Sequence, residues 1–330
     1  MIFKSLLTLT AAIAALAPIA AGYRVVRDIN APDGSYDYVS VDPDTGHVYV
    51  GRDFGIMVLN PITGRSRTLL ARRQVAAVLP IDGSHLMLST NGGSDTATLF
   101  DRYTGVVRAD IRTGKGPDGA AYDPVSRQAF VMNGDDGTVT VIDIAHERAV
   151  GTIGLGGTPE GGVTDGAGHL FVNIEETNEI AVVDINRRAV TKRYALPGCE
   201  EPTGIARDAV SGLLIAACRN RVAKLVDKKS GADRGTLSVS ARADGSVFDP
   251  VRRIGFIPGL LGELTIYRLG RNGTGTVIQT VSTREGARTA AYDTKRDRLY
   301  LPHATVERDA AGKYVRARSG FGVAVVGPAD

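Results

Sequence analysis

The chain has 330 residues, 43% of them apolar, with 40 glycines and no tryptophan. Its 39 Lys and Arg stand against 36 Asp and Glu, a formal net charge of +3 at pH 7. So small a balance builds no broad field to draw a polyanion, which argues against nucleic acid as a partner.

Lys4 precedes an apolar run over residues 6–16 that breaks at Pro18, and Ala20, Ala21 and Gly22 follow. A charge, a short apolar core and small residues in that order are the parts of a secretory signal peptide, cut near Ala21 or Gly22. The run is short for a bilayer span, which takes about 20 residues. The expectation is a signal peptide over residues 1–22 and one mature domain over residues 23–330, periplasmic or secreted and with no membrane span after cleavage.

Seven segments of the mature chain share one plan. Each has a leading turn, an apolar inner strand ending in an Asp-type corner, a second strand with a large apolar anchor, a third strand, a turn and an outer strand. The anchors are Tyr49, Met87, Phe130, Phe171, Ile215, Phe256 and Tyr300, spaced 38, 43, 41, 44, 41 and 44 residues apart. Propeller blades repeat every 40–45 residues or so. The corners are Asp42, Pro80, Asp123, Asp165, Asp208, Asp249 and Asp293, three of them followed by Pro43, Pro124 and Pro250. Proline there fixes φ for a turn.

The third segment is the clearest copy. Gly119-Ala120-Ala121-Tyr122-Asp123 reads as the inner strand and Gln128-Ala129-Phe130-Val131-Met132 as the second. Thr138-Val139-Thr140-Val141-Ile142-Asp143 alternates with period two, as a half-buried strand does. Inner strands in other segments are also rich in small residues, as in Gly161-Gly162-Val163 and Gly204-Ile205-Ala206. Small side chains let strands crowd round a propeller axis. The last segment has three strands, and residues 23–29 supply a spare one. Joined together they close a ring of seven four-stranded antiparallel blades, an all-β propeller without a free edge. Ring closure in turn favours a monomer.

Phe130-Val131-Met132-Asn133-Gly134, followed by Gly137-Thr138-Val139-Thr140-Val141-Ile142-Asp143, resembles the bacterial YVTN-repeat propellers, also called YncE-like proteins. Leu170-Phe171-Val172-Asn173 and Leu299-Tyr300-Leu301-Pro302 are further copies. The resemblance covers nearly the whole mature chain and implies the seven-bladed fold. For function it implies only a range of binding, scaffolding and redox-accessory roles. Nucleic-acid binding through aromatic side chains, implied for some members, does not carry over to a chain without tryptophan.

In such a ring the leading turns and the connections between second and third strands share one face. That places Arg52, Asn91, Asp118, Asn133, Glu160, Asn173, Asp244, Arg288 and His303 round the channel mouth as candidate ligand contacts. Asp118 and Glu160 take the same repeat position in adjacent blades. Like charges so placed cost energy unless a cation offsets them, and Arg288 at the matching position of the last blade is the candidate. Two chemistries fit the ring. A divalent cation such as Ca²⁺ would draw on Asp118, Glu160 and Asn173, with Asn133 beside them. Anion capture would use Arg52, Arg288 and His303.

Cys199 and Cys218 flank the start and the second strand of the fifth blade, on the same face. An even count in an oxidising compartment favours a disulfide between them. Residues 304–319 interrupt the last blade and carry Glu307, Arg308, Asp309, Lys313, Arg316 and Arg318. They read either as a solvated loop or as a basic flap over the mouth that selects an acidic ligand or partner.

No haem-attachment, zinc-protease or serine-nucleophile motif is present in the sequence. The leading expectation is a binding scaffold for a small molecule or periplasmic protein. The alternatives are a metal-dependent lactone hydrolase resembling gluconolactonases, with Asp244 or His303 as base, and an accessory to periplasmic redox or cofactor metabolism.

Overall fold

The computed structural model describes residues 22–310, 314–315 and 319–329. The signal-peptide expectation lies outside the described residues apart from Gly22. The described chain forms seven four-stranded sheets and one two-stranded hairpin. In six sheets the strands follow chain order from the inside out. In blade three they are Pro117–Asp123, Gln128–Asn133, Thr138–Asp143 and Arg148–Gly154, paired antiparallel throughout.

The seventh sheet departs from chain order as ring closure demands. Ala291–Asp293, Arg298–His303 and Gly322–Pro328 are completed by Tyr23–Asn30, which pairs antiparallel with Gly322–Pro328 as the outermost strand. The first and last strands thus share one sheet, and the fold is the seven-bladed β-propeller expected.

The core is not a single central mass. Seven buried apolar clusters lie one between each pair of neighbouring blades. Phe130, Met132, Val139 and Val141 of blade three, for example, meet Leu170, Val172, Ala181 and Val183 of blade four. Middle strands therefore have a blade against each face. This corrects the half-buried reading of Thr138–Asp143: Val139, Thr140, Val141 and Ile142 are all buried, and only the end residues are partly exposed. The Thr140 hydroxyl is reconciled with burial by bonds from the Asn133 side-chain amide (3.0 Å) and the Gly114 N–H (3.1 Å). Outer strands have no such cover at the rim, and Arg148–Gly154 is largely exposed or half-buried.

The ladder also corrects one anchor. Tyr49 and Phe130 stand three residues before Arg52 and Asn133, which pair with the first residues of their inner strands. In blade two Asn91 holds that pairing position, so the equivalent anchor is Leu88 rather than Met87. Both are fully buried, but on opposite faces of the blade: Leu88 packs toward blade three and Met87 toward blade one.

Small inner-strand residues matter through lateral approach. A Cβ on Gly161 would meet the Thr203 carbonyl at 2.4 Å, and one on Gly204 would meet the Gly245 backbone at 2.4 Å. At these two places blades four to six converge closely enough to exclude any side chain.

Side-chain hydroxyls bridge the same seams. Thr90 Oγ1 donates to the Asp118 carbonyl (2.6 Å), Thr203 Oγ1 to the Ala243 carbonyl (2.7 Å) and Thr289 Oγ1 to the Asp37 carbonyl (2.9 Å), each from one blade to the next. Thr203 is fully buried. Thr203→Val keeps its shape and strands that carbonyl, so it is expected to lower unfolding free energy by about 1–2 kcal/mol. Urea denaturation measures this, and a variant as stable as the parent would remove the bridge from the account.

On the opposite face the corner aspartates turn the chain and join blades. Asp208 accepts N–H bonds from Val210 and Ser211, both at 3.1 Å, and pairs with Arg253 of blade six. Asp42 likewise pairs with Arg102 of blade two (2.7 Å), and Asp165 with Lys228 of blade five (3.0 Å). Cys199 and Cys218 are disulfide-bonded, with Cα atoms 5.6 Å apart, tying the start of blade five to the end of its second strand. A loop of this length is worth about 3 kcal/mol in the chain-entropy view.

Candidate functional site

In six blades the pairing register defines one position at the channel mouth, the residue after the first inner pair or bridge, and in blade seven the sequence repeat gives the matching residue. It is occupied in turn by Asp37, Ala76, Asp118, Glu160, Thr203, Asp244 and Arg288. Four carboxyl groups and one guanidinium thus face one another across the axis. Below them the inner strands of all seven blades line a channel space of about 200 Å³. Tyr38 lines it, its hydroxyl pKa raised by burial and then by Asp118 and Glu160.

Arg288 does offset carboxylates, but not the pair expected. It sits between its ring neighbours, 2.7 Å from Asp244 and 3.2 Å from Asp37. Burial works against its charge, yet Asp244 and Asp37 more than compensate and raise its pKa. Asp118 and Glu160 are relieved in another way. Burial first, then the charges of Asp118 and Asp244, push Glu160 up to about 10, so it holds its proton at neutral pH. Its carboxyl also shares a hydrogen bond with Glu175. Glu175 in turn pairs with Arg219, which reaches Glu201 at 3.0 Å and Asp244 at 3.8 Å. One continuous network therefore runs Asp37–Arg288–Asp244–Arg219–Glu175–Glu160.

Several expected mouth residues do other work. Arg52 is fully buried. Its guanidinium donates to the carbonyls of Pro32 (2.8 Å), Ser35 (2.9 Å) and Gly34 (3.2 Å) and lies 3.5 Å from the Phe321 ring centroid. It ties down the chain leading into blade one and has no fork left for an anion. His303 is turned to the closing strand, with Nε2 2.8 Å from Asp28. Asp244 keeps company with Arg288 and Arg219.

Asn91 and Asn133 brace their own blades in the same way. Each donates to two threonines of the third strand, Thr96 and Thr98 or Thr138 and Thr140, at 2.9–3.1 Å. Asn173 donates to the Gly204 carbonyl of blade five at 3.0 Å. Asn173 is engaged through its amide nitrogen alone: its buried Oδ1, the atom a cation would take, has no hydrogen-bond partner among the described residues. Among the described residues, no three His, Cys, Asp or Glu side chains group so as to hold a metal ion.

Two hollows open at the mouth on either side of Tyr36. The larger, about 530 Å³, is lined by Asp37, Asp53, Asp118, Asp135 and Glu160, with no lysine or arginine among its lining residues. The other, about 280 Å³, lies between blades six and seven and carries Arg219, Arg242 and Arg288 with a single carboxylate, Asp244. Its outer wall comes from the interrupted last blade, where Glu307–Arg308 and Tyr314–Val315 form a small hairpin. Arg308 stacks on Tyr314, 3.8 Å from the ring centroid, and Arg242 lies 4.9 Å from the same centroid. The described part of the segment thus brings a tyrosine and valines to the mouth; Lys313, Arg316 and Arg318 lie outside the described residues.

Arg242 and Tyr36 are the site residues that sequence reasoning missed. Arg242 precedes Asp244-Gly245 in the leading turn of blade six, so the turn was visible. Its meeting with Tyr314, 72 positions later, depends on how the hairpin folds back, which no local pattern records.

No family model and no curated protein matches the chain. Many solved structures share its fold. A chain of the mitotic checkpoint complex superposes with a TM-score of 0.78 at 12% identity, covering all of both chains. The RRP9 WD40 repeats give 0.76 at 12%, covering 93% of this chain and 99% of that one. Hydrazine synthase from Kuenenia stuttgartiensis gives 0.71 at 14%, covering 91% and 99%. At these identities the likeness is one of fold, and the chain is a seven-bladed β-propeller.

Proposed function

We propose that this chain is an exported, non-catalytic binding propeller that holds a charged small molecule or a segment of a partner protein at its channel mouth. The observation that carries this reading is the polarity of the mouth. Carboxyl groups crowd the side of blades one, three and four, and arginines gather on the side of blades five to seven, all mounted on a closed ring. Inner-strand positions held on both sides by neighbouring blades give such a site its rigidity. The neighbour in the mitotic checkpoint complex, a propeller within a protein assembly, supports a scaffolding use of the fold. Export is supported by the pattern of residues 1–22 and by the disulfide. Among the described residues no helix is long and apolar enough to cross a membrane.

The test is a thermal-shift screen of the mature protein against small charged metabolites, with each hit recovered and analysed by mass spectrometry. A ligand at 100 times its Kd should add about 2.7 kcal/mol of stability. Binding is expected to be lost in Asp118→Lys, and the ligand to be recovered unchanged. Conversion of the ligand would show an enzyme instead, and shifts that persist in Asp118→Lys would move the site away from the mouth.

A further inference from the structure

We infer that the cleft between blades six and seven receives a carboxylate borne on a small apolar body, with Arg242 as its counter-ion. This rests on the mouth being the binding surface and assigns chemistry to one part of it. Of the three arginines in the cleft, two are spent: Arg288 on Asp37 and Asp244, and Arg219 on Glu175, Glu201 and Asp244. Arg242 has no carboxylate partner among the described residues. Its Nε is buried without a hydrogen-bond partner, and its guanidinium contacts the Tyr314 ring.

The backbone holds Arg242 in place. Its φ is +52°, a left-handed conformation uncommon for a residue with a side chain. The Arg242 N–H donates to the Arg219 carbonyl (2.9 Å), and its own carbonyl accepts from the Leu260 N–H (3.3 Å). The side chain is thereby aimed into a cleft whose other walls are Leu260, Ala304, Val306 and Val315, with the Thr305 hydroxyl beside them.

A guanidinium at a cleft wall with no carboxylate partner among the described residues calls for a planar acceptor that takes two parallel bonds, which is what a carboxylate offers. The apolar walls call for a hydrocarbon body next to it. Asp244 and the acidic network behind it disfavour a dianion such as phosphate, since only one guanidinium is uncommitted. The cleft's size of about 280 Å³ suits a small acid or the last residue of a peptide.

Calorimetric titration of the mature protein with phenylacetate, and with an acetylated Ala-Ala-Leu peptide bearing a free or an amidated C-terminus, tests this and separates the two sources of carboxylate. At least one free acid should bind, while the amidated peptide and phenethylamine should not. Arg242→Asn, whose side chain tolerates a left-handed backbone, should weaken binding at least tenfold, and Arg242→Lys less. Equal affinity in Arg242→Asn, equal binding of acid and amide, or no binding of either acid would overturn the inference. Should the variant not fold, the acid-against-amide comparison on the parent protein still decides. A charged ligand that binds in an Asp118-dependent way while both acids fail would leave the mouth as the site and remove only its carboxylate cleft.

Discussion

A chain expressed as residues 31–330, without the closing strand, is expected to associate edge to edge or to melt well below the chain that keeps it. Tyr23–Asn30 supplies the whole outer strand of the last blade, in register with Gly322–Pro328. Its removal unpairs that ladder and uncovers Ile29's place in the cluster between blades seven and one. It also deletes the edge-on contact of Tyr23 with Phe256 (5.4 Å between centroids) and both bonds between Gln279 and the Tyr23 backbone. His303 is left without Asp28, which sits 2.8 Å away. Burial of one large apolar side chain alone is worth about 2–3 kcal/mol, a large share of the roughly 5–15 kcal/mol by which most domains are stable. The bared strand Gly322–Pro328 carries Val323, Ala324, Val325 and Val326 with free backbone groups, a template for edge-to-edge association. Size-exclusion chromatography and thermal unfolding should show soluble aggregates or a melting point lowered by more than about 10 °C. A truncated chain that melts together with one beginning at residue 23 and stays as dispersed would mean that the ring does not depend on this strand.

That closure was legible because it is a counting argument. Three strands at one end and one at the other can be added without knowing any contact. Seven blades followed from spacing for the same reason, since each anchor marks one repeat whatever its neighbours are. The Met87 assignment shows the limit: two adjacent apolar residues both lie buried when a blade covers each face, so pattern alone cannot choose between them. The same double cover hid the role of Thr140, whose alternation with valines looked like one wet face. At the mouth, repeat position correctly brought Asp118, Glu160, Asp244 and Arg288 into one ring. It could not say which charges would meet. Arg288 bonds its flanking neighbours because ring order, not sequence order, makes blade one the neighbour of blade seven. Arg52, Asn91, Asn133 and His303 share a repeat position with one another, yet each is spent on local bonds that depend on side-chain length and on what the adjoining loop offers.

Glu160 gives the second large effect. An acid whose pKa rises on folding keeps its proton in the native chain after the unfolded chain has released it. Between 4.5 and about 10 the native state therefore binds more protons, and stability falls as pH rises through that window. The cause is burial first and the nearby charges of Asp118 and Asp244 second. Glu160→Gln keeps the shape and retains a donor for Glu175 but has no proton to hold. It should equal the parent near pH 4 and exceed it at pH 7, by no more than about 3 kcal/mol from the linkage. The difference should widen further at pH 9. Urea denaturation of both proteins at the three pH values reads Glu160 together with the carboxyl groups that interact with it, Asp118, Asp244 and Glu175. If Glu160→Gln is the less stable protein by the same amount at each pH, Glu160 is ionised and held by its partners. A propeller does not need this crowd of carboxyls to close, since the equivalent place is an alanine in blade two and a threonine in blade five. The proposed binding role would account for a stability cost carried at the mouth, where the fold could dispense with it.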